Sequence, residues 1–210
     1  MDYLLLAILW AAYCALHSAL IAVPVTDCFR RVLGPCYRFY RLFFNLVSVG
    51  TLVPLINYSH SAQFKTAVIL KWDGYLRVVR WSFVALAALL AVAGARHYSM
   101  LQFLGIQQLR RSGSRGAMTE SGEFDTSGVL GIVRHPWYVA VFLLLWASDL
   151  NLAGITISVV LSAYLVVGTI LEERKLVMEF GDKYTQYQRR VSMFVPLKWL
   201  RKTKHPTTHT

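Results

Sequence analysis

Five apolar runs of membrane-spanning or near-spanning length dominate this 210-residue chain and leave few folds open to it. A helix needs about 20 predominantly apolar residues to cross the hydrocarbon core, because no water there can satisfy an open backbone. The runs cover residues 3–23, 39–58, 76–95, 137–150 and 152–171. The third begins with Arg77 and Arg80, whose long side chains can snorkel to the interface. The fourth is short unless the turn before Pro136 contributes. Only Asp149, Leu150 and Asn151 separate the last two runs, so they are expected to form a tight antiparallel hairpin whose far ends are neighbours. The expected fold class is all-α: a polytopic membrane protein with about five transmembrane helices, a C-terminal helical hairpin and a cytoplasmic amphipathic helix.

Charge supports this class and orients it. The chain carries 22 Lys and Arg against 11 Asp and Glu, a net +11, yet 56% of its residues are hydrophobic. The basic residues flank the apolar runs, a pattern of the lipid surface rather than of a nucleic-acid binder. Arg30, Arg31, Arg38 and Arg41 lie in 27–41, before and at the start of the second run; Arg96, Arg110, Arg111, Arg115 and Arg134 lie between the third and fourth; nine more follow residue 171. Those eighteen of the 22 fall on one side of a five-span topology, and Lys65, Lys71, Arg77 and Arg80 on the other. The positive-inside rule then puts the N-terminus outside and the C-terminus in the cytoplasm. Asp2 and the length of run 3–23 mark a retained helix rather than a cleaved signal peptide. Cys14, Cys28 and Cys36 form no C-x-x-C and read as small packing residues, not as a disulfide framework.

Three polar stretches connect the runs. Residues 59–74 lie outside and are expected to include a short interfacial helix. Residues 111–123 are rich in Gly and Ser and read as a flexible cytoplasmic loop. Residues 172–192 read as an amphipathic helix, because Leu176, Phe180, Tyr184, Tyr187 and Val191 recur at three- and four-residue spacing with Lys and Arg opposite.

The candidate chemistry gathers at the ends of the hairpin. Arg134-His135-Pro136-Trp137-Tyr138 opens the fourth run. Pro136 keeps His135 out of the α region and suits the first helical position, so Arg134 and His135 cap a helix whose positive dipole end accommodates a carboxylate. Glu172-Glu173 closes the fifth run on the same face. A carboxylate facing an imidazole and helix N–H groups suits a zwitterion. The bland alternatives are a boundary Arg, a belt Tyr and a Glu at the head of a cytosolic helix. His17 inside the first run and His97 after the third raise a different class, a non-enzymatic haem or quinone subunit or a small transporter, against the plainer reading of packing histidines. The common soluble catalytic motifs are absent, and no metal site is read.

The segments Thr126-Ser127-Gly128, Arg134-His135-Pro136-x-Tyr138, Glu172-Glu173-x-x-Leu176, Phe180-Gly181-x-x-Tyr184-x-x-Tyr187 and a final x-Pro196 together resemble the membrane superfamily of isoprenylcysteine carboxyl methyltransferases and phospholipid N-methyltransferases. They cover 126–196, about a third of the chain. His17-Ser18 and Tyr40-Arg41-Leu42-Phe43-Phe44-Asn45 are similar to bacterial relatives that include methanethiol S-methyltransferases. The resemblance implies one integral membrane methyltransferase domain over 1–199, a flexible cytoplasmic tail at 200–210, and a bacterial inner membrane. It implies S-adenosylmethionine as cofactor, held by Phe124, Asp125, Leu130, His135, Pro136, Trp137, Tyr138, Glu172 and Glu173. Leu130 stands where the isoprenylcysteine enzymes carry Tyr, Ala140 where they carry Gly, and Gly168 where they carry an Arg linked to the substrate carboxylate. These departures turn the expectation away from prenylcysteine and toward a small or lipophilic acceptor, a thiol or thiolate first and a carboxylate second. A thiol has to ionise, its ordinary pKa being about 8.5, and Arg134 is the catalytic candidate for favouring the thiolate, with Arg96 and Arg41 as other nearby cations. The expected partners are that acceptor and the lipid bilayer, not nucleic acid.

Overall fold

The computed structural model describes residues 1–95 and 126–204. Among them are α1 (Asp2–Ile21), α2 (Val23–Leu33), α3 (Tyr40–Ser59), α4 (Leu76–Ala95), α5 (Pro136–Trp146), α6 (Leu152–Phe180), α7 (Asp182–Arg190) and α8 (Leu197–Lys204). Short 3-10 turns lie at Gly34–Phe39, Ala62–Phe64 and Gly128–Gly131, and two short strands, β1 (Val68–Leu70) and β2 (Leu150–Asn151), pair antiparallel. Arg96, His97, the 111–123 loop, Phe124 and Asp125 lie outside the described residues.

The chain is an all-α polytopic membrane protein. Among the described residues, four segments are long and apolar enough to cross a membrane: Asp2–Ile21, Val23–Ser59, Leu76–Ala95 and Leu152–Phe180. In the second, α3 supplies the apolar span, since the stretch before it carries Asp27, Arg30, Arg31 and Arg38. The fourth run differs from its expected length. Its helix, α5, has only 11 residues, about 16 Å at the α-helical rise; the chain bends at Ala147 and Ser148, and Leu150 pairs in β2.

The described residues group into two compact units. One comprises 1–72 and 148–164. Leu6 and Trp10 of α1, flanked by Tyr3 and Tyr13 at helical spacing, meet Leu55, Phe64 and Ala153 in its core. Trp10 Nε1 donates to Ser59 Oγ (3.1 Å), which donates to the Leu55 carbonyl (2.7 Å), so these buried polar groups are satisfied. Val68 pairs with Asn151 and Leu70 with Leu150. Asn151 also caps α6: its Oδ1 accepts from Gly154 N (2.9 Å), while its Nδ2 donates to the Phe64 carbonyl (2.8 Å). The interfacial helix expected within 59–74 is therefore replaced by the Ala62–Phe64 turn, anchored by buried Phe64, and by β1.

The other unit comprises 73–95, 126–147 and 165–204. Here α4 and α5 pack together. Ala87 and Gly94 of α4, and Ala140 of α5 with Ala147 just after its end, each pair seven apart, are buried. Small residues on one face let helix backbones approach closely. The amphipathic helix expected over 172–192 is not a separate element. α6 runs 29 residues to Phe180, about 44 Å, longer than the roughly 30 Å hydrocarbon core. Its turns after the apolar stretch ending at Leu171 thus extend beyond the span. Gly181, with φ 56°, breaks the helix before α7. Leu176, Tyr184, Tyr187 and Val191 are buried inside the unit rather than laid on lipid. Of the expected flexible tail, 200–204 belong to α8, and 205–210 lie outside the described residues.

Candidate active site

The turn before α5 is held by backbone. His135 lies outside the α region (φ −125°, ψ 66°), which the following Pro disfavours, and Pro136 starts the helix fully buried. Val133 forms a parallel bridge with Ser192, Arg134 N donates to the Ser192 carbonyl (3.0 Å) and His135 N to that of Met193 (3.3 Å). This pairing clamps residues 133–135 beside the chain leaving α7 and turns both side chains inward.

Arg134 and Glu173 form the centre. Arg134 Nε donates to Glu173 Oε1 (2.7 Å) and Nη2 to Oε2 (3.0 Å), a bidentate pair. Arg134 Nη1 donates to the carbonyls of Gln188 (3.1 Å) and Val191. Four of the guanidinium's five N–H donors are thus committed within the unit. Glu173 also accepts from Gln188 Nε2 (2.9 Å) and from His135 Nε2 (3.0 Å). Both side chains of the ion pair are 7% exposed. Burial alone would raise the Glu173 carboxyl; the bonds from His135, Arg134 and Gln188 and the Arg134 charge outweigh it and hold the carboxyl at about 2. Burial, joined by the charge of Glu173, pushes the buried Tyr184 phenol up.

Glu172 has a different environment. Its side chain is 33% exposed, and Tyr138 Oη donates to its Oε2 (2.7 Å). The His135 ring stacks parallel to Tyr138 with centroids 5.4 Å apart, and its Nδ1 lies 3.8 Å from Glu172 Oε2. His135 therefore sits between two carboxylates. The sequence groups Glu172 and Glu173 as one ligand-facing pair; the structure divides them. Glu173 is consumed by Arg134, His135 and Gln188, and Glu172 is the accessible carboxylate.

The remaining candidates fall as follows. Arg134, expected as a catalytic cation, has the bonding of a positioning residue that ties α5, α6 and α7 together. Leu130 is buried, and its carbonyl accepts from Tyr187 Oη (2.7 Å). The Trp137 indole lies where a side chain on Gly94 would be. In the first unit, His17 shares a hydrogen bond with Ser48 Oγ (3.2 Å) and packs against the Tyr13 and Phe44 rings, as a packing histidine does. Arg41 lies over the Phe44 ring, 5.9 Å from its centroid. Gln188 and Gly94 are site residues that sequence reasoning missed. Gln188 carries a legible signal, for it shares the inward face of Tyr184, Tyr187 and Val191; Gly94 carries none.

Comparison with known proteins gives relatives of the kind this block resembles. The chain is 33% identical over 99 residues to a methanethiol S-methyltransferase of Pseudomonas deceptionensis, covering 47% of this chain and 37% of that protein. It is 32% identical over 140 residues to methanethiol S-methyltransferase 2 of Bradyrhizobium diazoefficiens, covering 66% and 51%. It is 34% identical over 118 residues to a protein-S-isoprenylcysteine O-methyltransferase of Schizosaccharomyces pombe, covering 47% and 49%. The chain thus spans about half or less of the length of the curated relatives it matches. No family model and no solved structure matches it.

Proposed function

We propose that this chain is an integral membrane methyltransferase that uses S-adenosylmethionine and methylates a small or lipophilic thiolate or carboxylate. The observation that carries this reading is Glu172, a one-third-exposed carboxylate oriented by Tyr138 at the edge of a closed Arg134–Glu173–His135 cluster. The relatives named as methyltransferases, with thiol and carboxyl acceptors between them, support the same reading.

S-adenosylmethionine supplies a methyl group on a sulfonium sulfur, together with an amino-acid end bearing an ammonium and a carboxylate. The donor set fits that end. Glu172 offers the ammonium a carboxylate already placed by the Tyr138 hydroxyl. Glu173 keeps His135 Nε2–H engaged, so the imidazole presents a fixed face and a fixed Nδ1 edge. Arg134 holds the whole turn against α6 and α7, so little reorganisation is needed when a ligand enters. In-line displacement requires alignment and control of water rather than a dedicated base. For an anionic acceptor, the new bond to the methyl carbon forms as the carbon–sulfonium bond breaks, and the charges neutralise.

The basic residues support an N-terminus outside and a C-terminus in the cytoplasm.

The test is calorimetric titration of the detergent-solubilised full chain with S-adenosylmethionine. The parent binds, and Glu172→Ala, still folded, does not. Glu172→Ala and His135→Ala variants that both bind like the parent would overturn the assignment.

A further inference from the structure

Gly94 lies in α4, outside every motif that points to the cofactor. Its two chemical features are the lack of a Cβ and its place on the face of α4 that carries Ala87. A Cβ built there would run into Nε1 and Cδ1 of the Trp137 indole. Cδ1 is bonded directly to the ring's root carbon, so the overlap is not with a flexible tip. The whole indole would have to leave its place. Trp137 is the second residue of α5, between fully buried Pro136 and Tyr138, whose hydroxyl orients Glu172. Ala140 and Ala147, both buried, leave the α5 backbone close to its neighbours with little slack. A displaced indole therefore moves the first turn of α5, and with it Tyr138 and the stacked His135.

We infer that Gly94 is a positioning residue for the 135–138 turn: the notch it leaves in α4 seats the Trp137 indole and thereby aims Tyr138 and His135 at Glu172. This rests on the reading of that turn as the S-adenosylmethionine site. Glycine at 94 is required for space and not for backbone freedom, since it lies within a regular helix. Gly50 in α3 is the natural control, a helical glycine with no atom within 4 Å of where its Cβ would be.

The experiment uses the full chain in detergent. S-adenosylmethionine affinity is measured by titration well below the unfolding temperature, and thermal midpoints are measured without ligand. Gly94→Ala is expected to weaken S-adenosylmethionine binding at least tenfold and to lower the midpoint by several degrees. Gly50→Ala is expected to leave the affinity unchanged and, through the better helix propensity of Ala, to leave the midpoint level or slightly higher. In a Trp137→Ala background, where the obstructing ring is gone, adding Gly94→Ala should no longer lower the midpoint. An unaltered affinity in Gly94→Ala overturns the positioning role. A midpoint loss of equal size with and without Trp137 overturns the notch itself. A parent chain that binds no S-adenosylmethionine sinks the functional reading, and the positioning role with it, while the midpoint comparison still decides whether Gly94 seats Trp137.

Discussion

Adjacent glutamates should fail in opposite ways. Glu173 accepts bonds from Arg134 Nε and Nη2, His135 Nε2 and Gln188 Nε2, and both it and Arg134 are 7% exposed. Glu173→Ala strands a buried guanidinium, and breaking a buried pair from one side costs about 3–5 kcal/mol. At roughly 2–4 °C per kcal/mol for a chain of this size, the unfolding midpoint falls by about 6–20 °C. Glu172 is one-third exposed and accepts from Tyr138. After allowance for solvent screening, its loss is worth about 0.5–1.5 kcal/mol, a midpoint shift of at most about 6 °C. On the proposed function, Glu172→Ala is nevertheless expected to abolish S-adenosylmethionine binding. Thermal unfolding in detergent, followed by near-UV circular dichroism, measures the first effect, and titration calorimetry measures the second. The reasoning is refuted if Glu173→Ala unfolds within about 2 °C of the parent, or if Glu172→Ala is the less stable of the two.

Further outcomes follow from the same contacts. Tyr138→Phe keeps the ring that stacks on His135 and loses the donor to Glu172, so S-adenosylmethionine affinity falls roughly tenfold, as titration would show, with little change in midpoint. The Glu173 carboxyl is held at about 2 against an ordinary 4.5, so its contribution is complete above pH 4.5 and disappears as pH falls toward about 2. The buried Tyr184 phenol is raised above 10.0, so its contribution is complete below that pH and is lost as pH rises beyond it. A plot of midpoint against pH should fall at both ends, and Glu173→Gln should flatten the acid limb. Asn151→Ala removes the α6 cap and the donor to Phe64 O, while Asn151→Asp keeps an oxygen for the Gly154 N–H. The Asp variant should therefore unfold at the higher temperature, and equal midpoints would contradict the capping role.

What was legible in the sequence was whatever has a period or a punctuation mark. Apolar runs of sufficient length identified α1, α3, α4 and α6, with α4 starting at Leu76 as expected. Pro136 marked the start of α5, and the short hairpin correctly brought the start of α5 to the late turns of α6, where His135 meets Glu173. Tertiary pairing was not legible. Leu150 and Asn151 read as part of a tight turn between two apolar runs, yet a strand at 68–70 claims them. The aromatic stripe at Tyr184 and Tyr187 has the spacing of a surface helix, but Tyr187 reaches the Leu130 carbonyl 57 positions away and the stripe turns inward. Nor does sequence separate Glu172 from Glu173. They are identical in type and adjacent, and only the helix phase decides which one Arg134 reaches.

The central claim is methyl transfer, and label transfer tests it most directly. The solubilised full chain is incubated with methyl-labelled S-adenosylmethionine and separate panels of thiols, prenylcysteines, lipids and amines, and the products are resolved by chromatography. The account predicts label on a small or lipophilic thiol, and none on any acceptor with Glu172→Ala. Absence of label on every acceptor, together with no thermal stabilisation of the parent by S-adenosylmethionine, would contradict it.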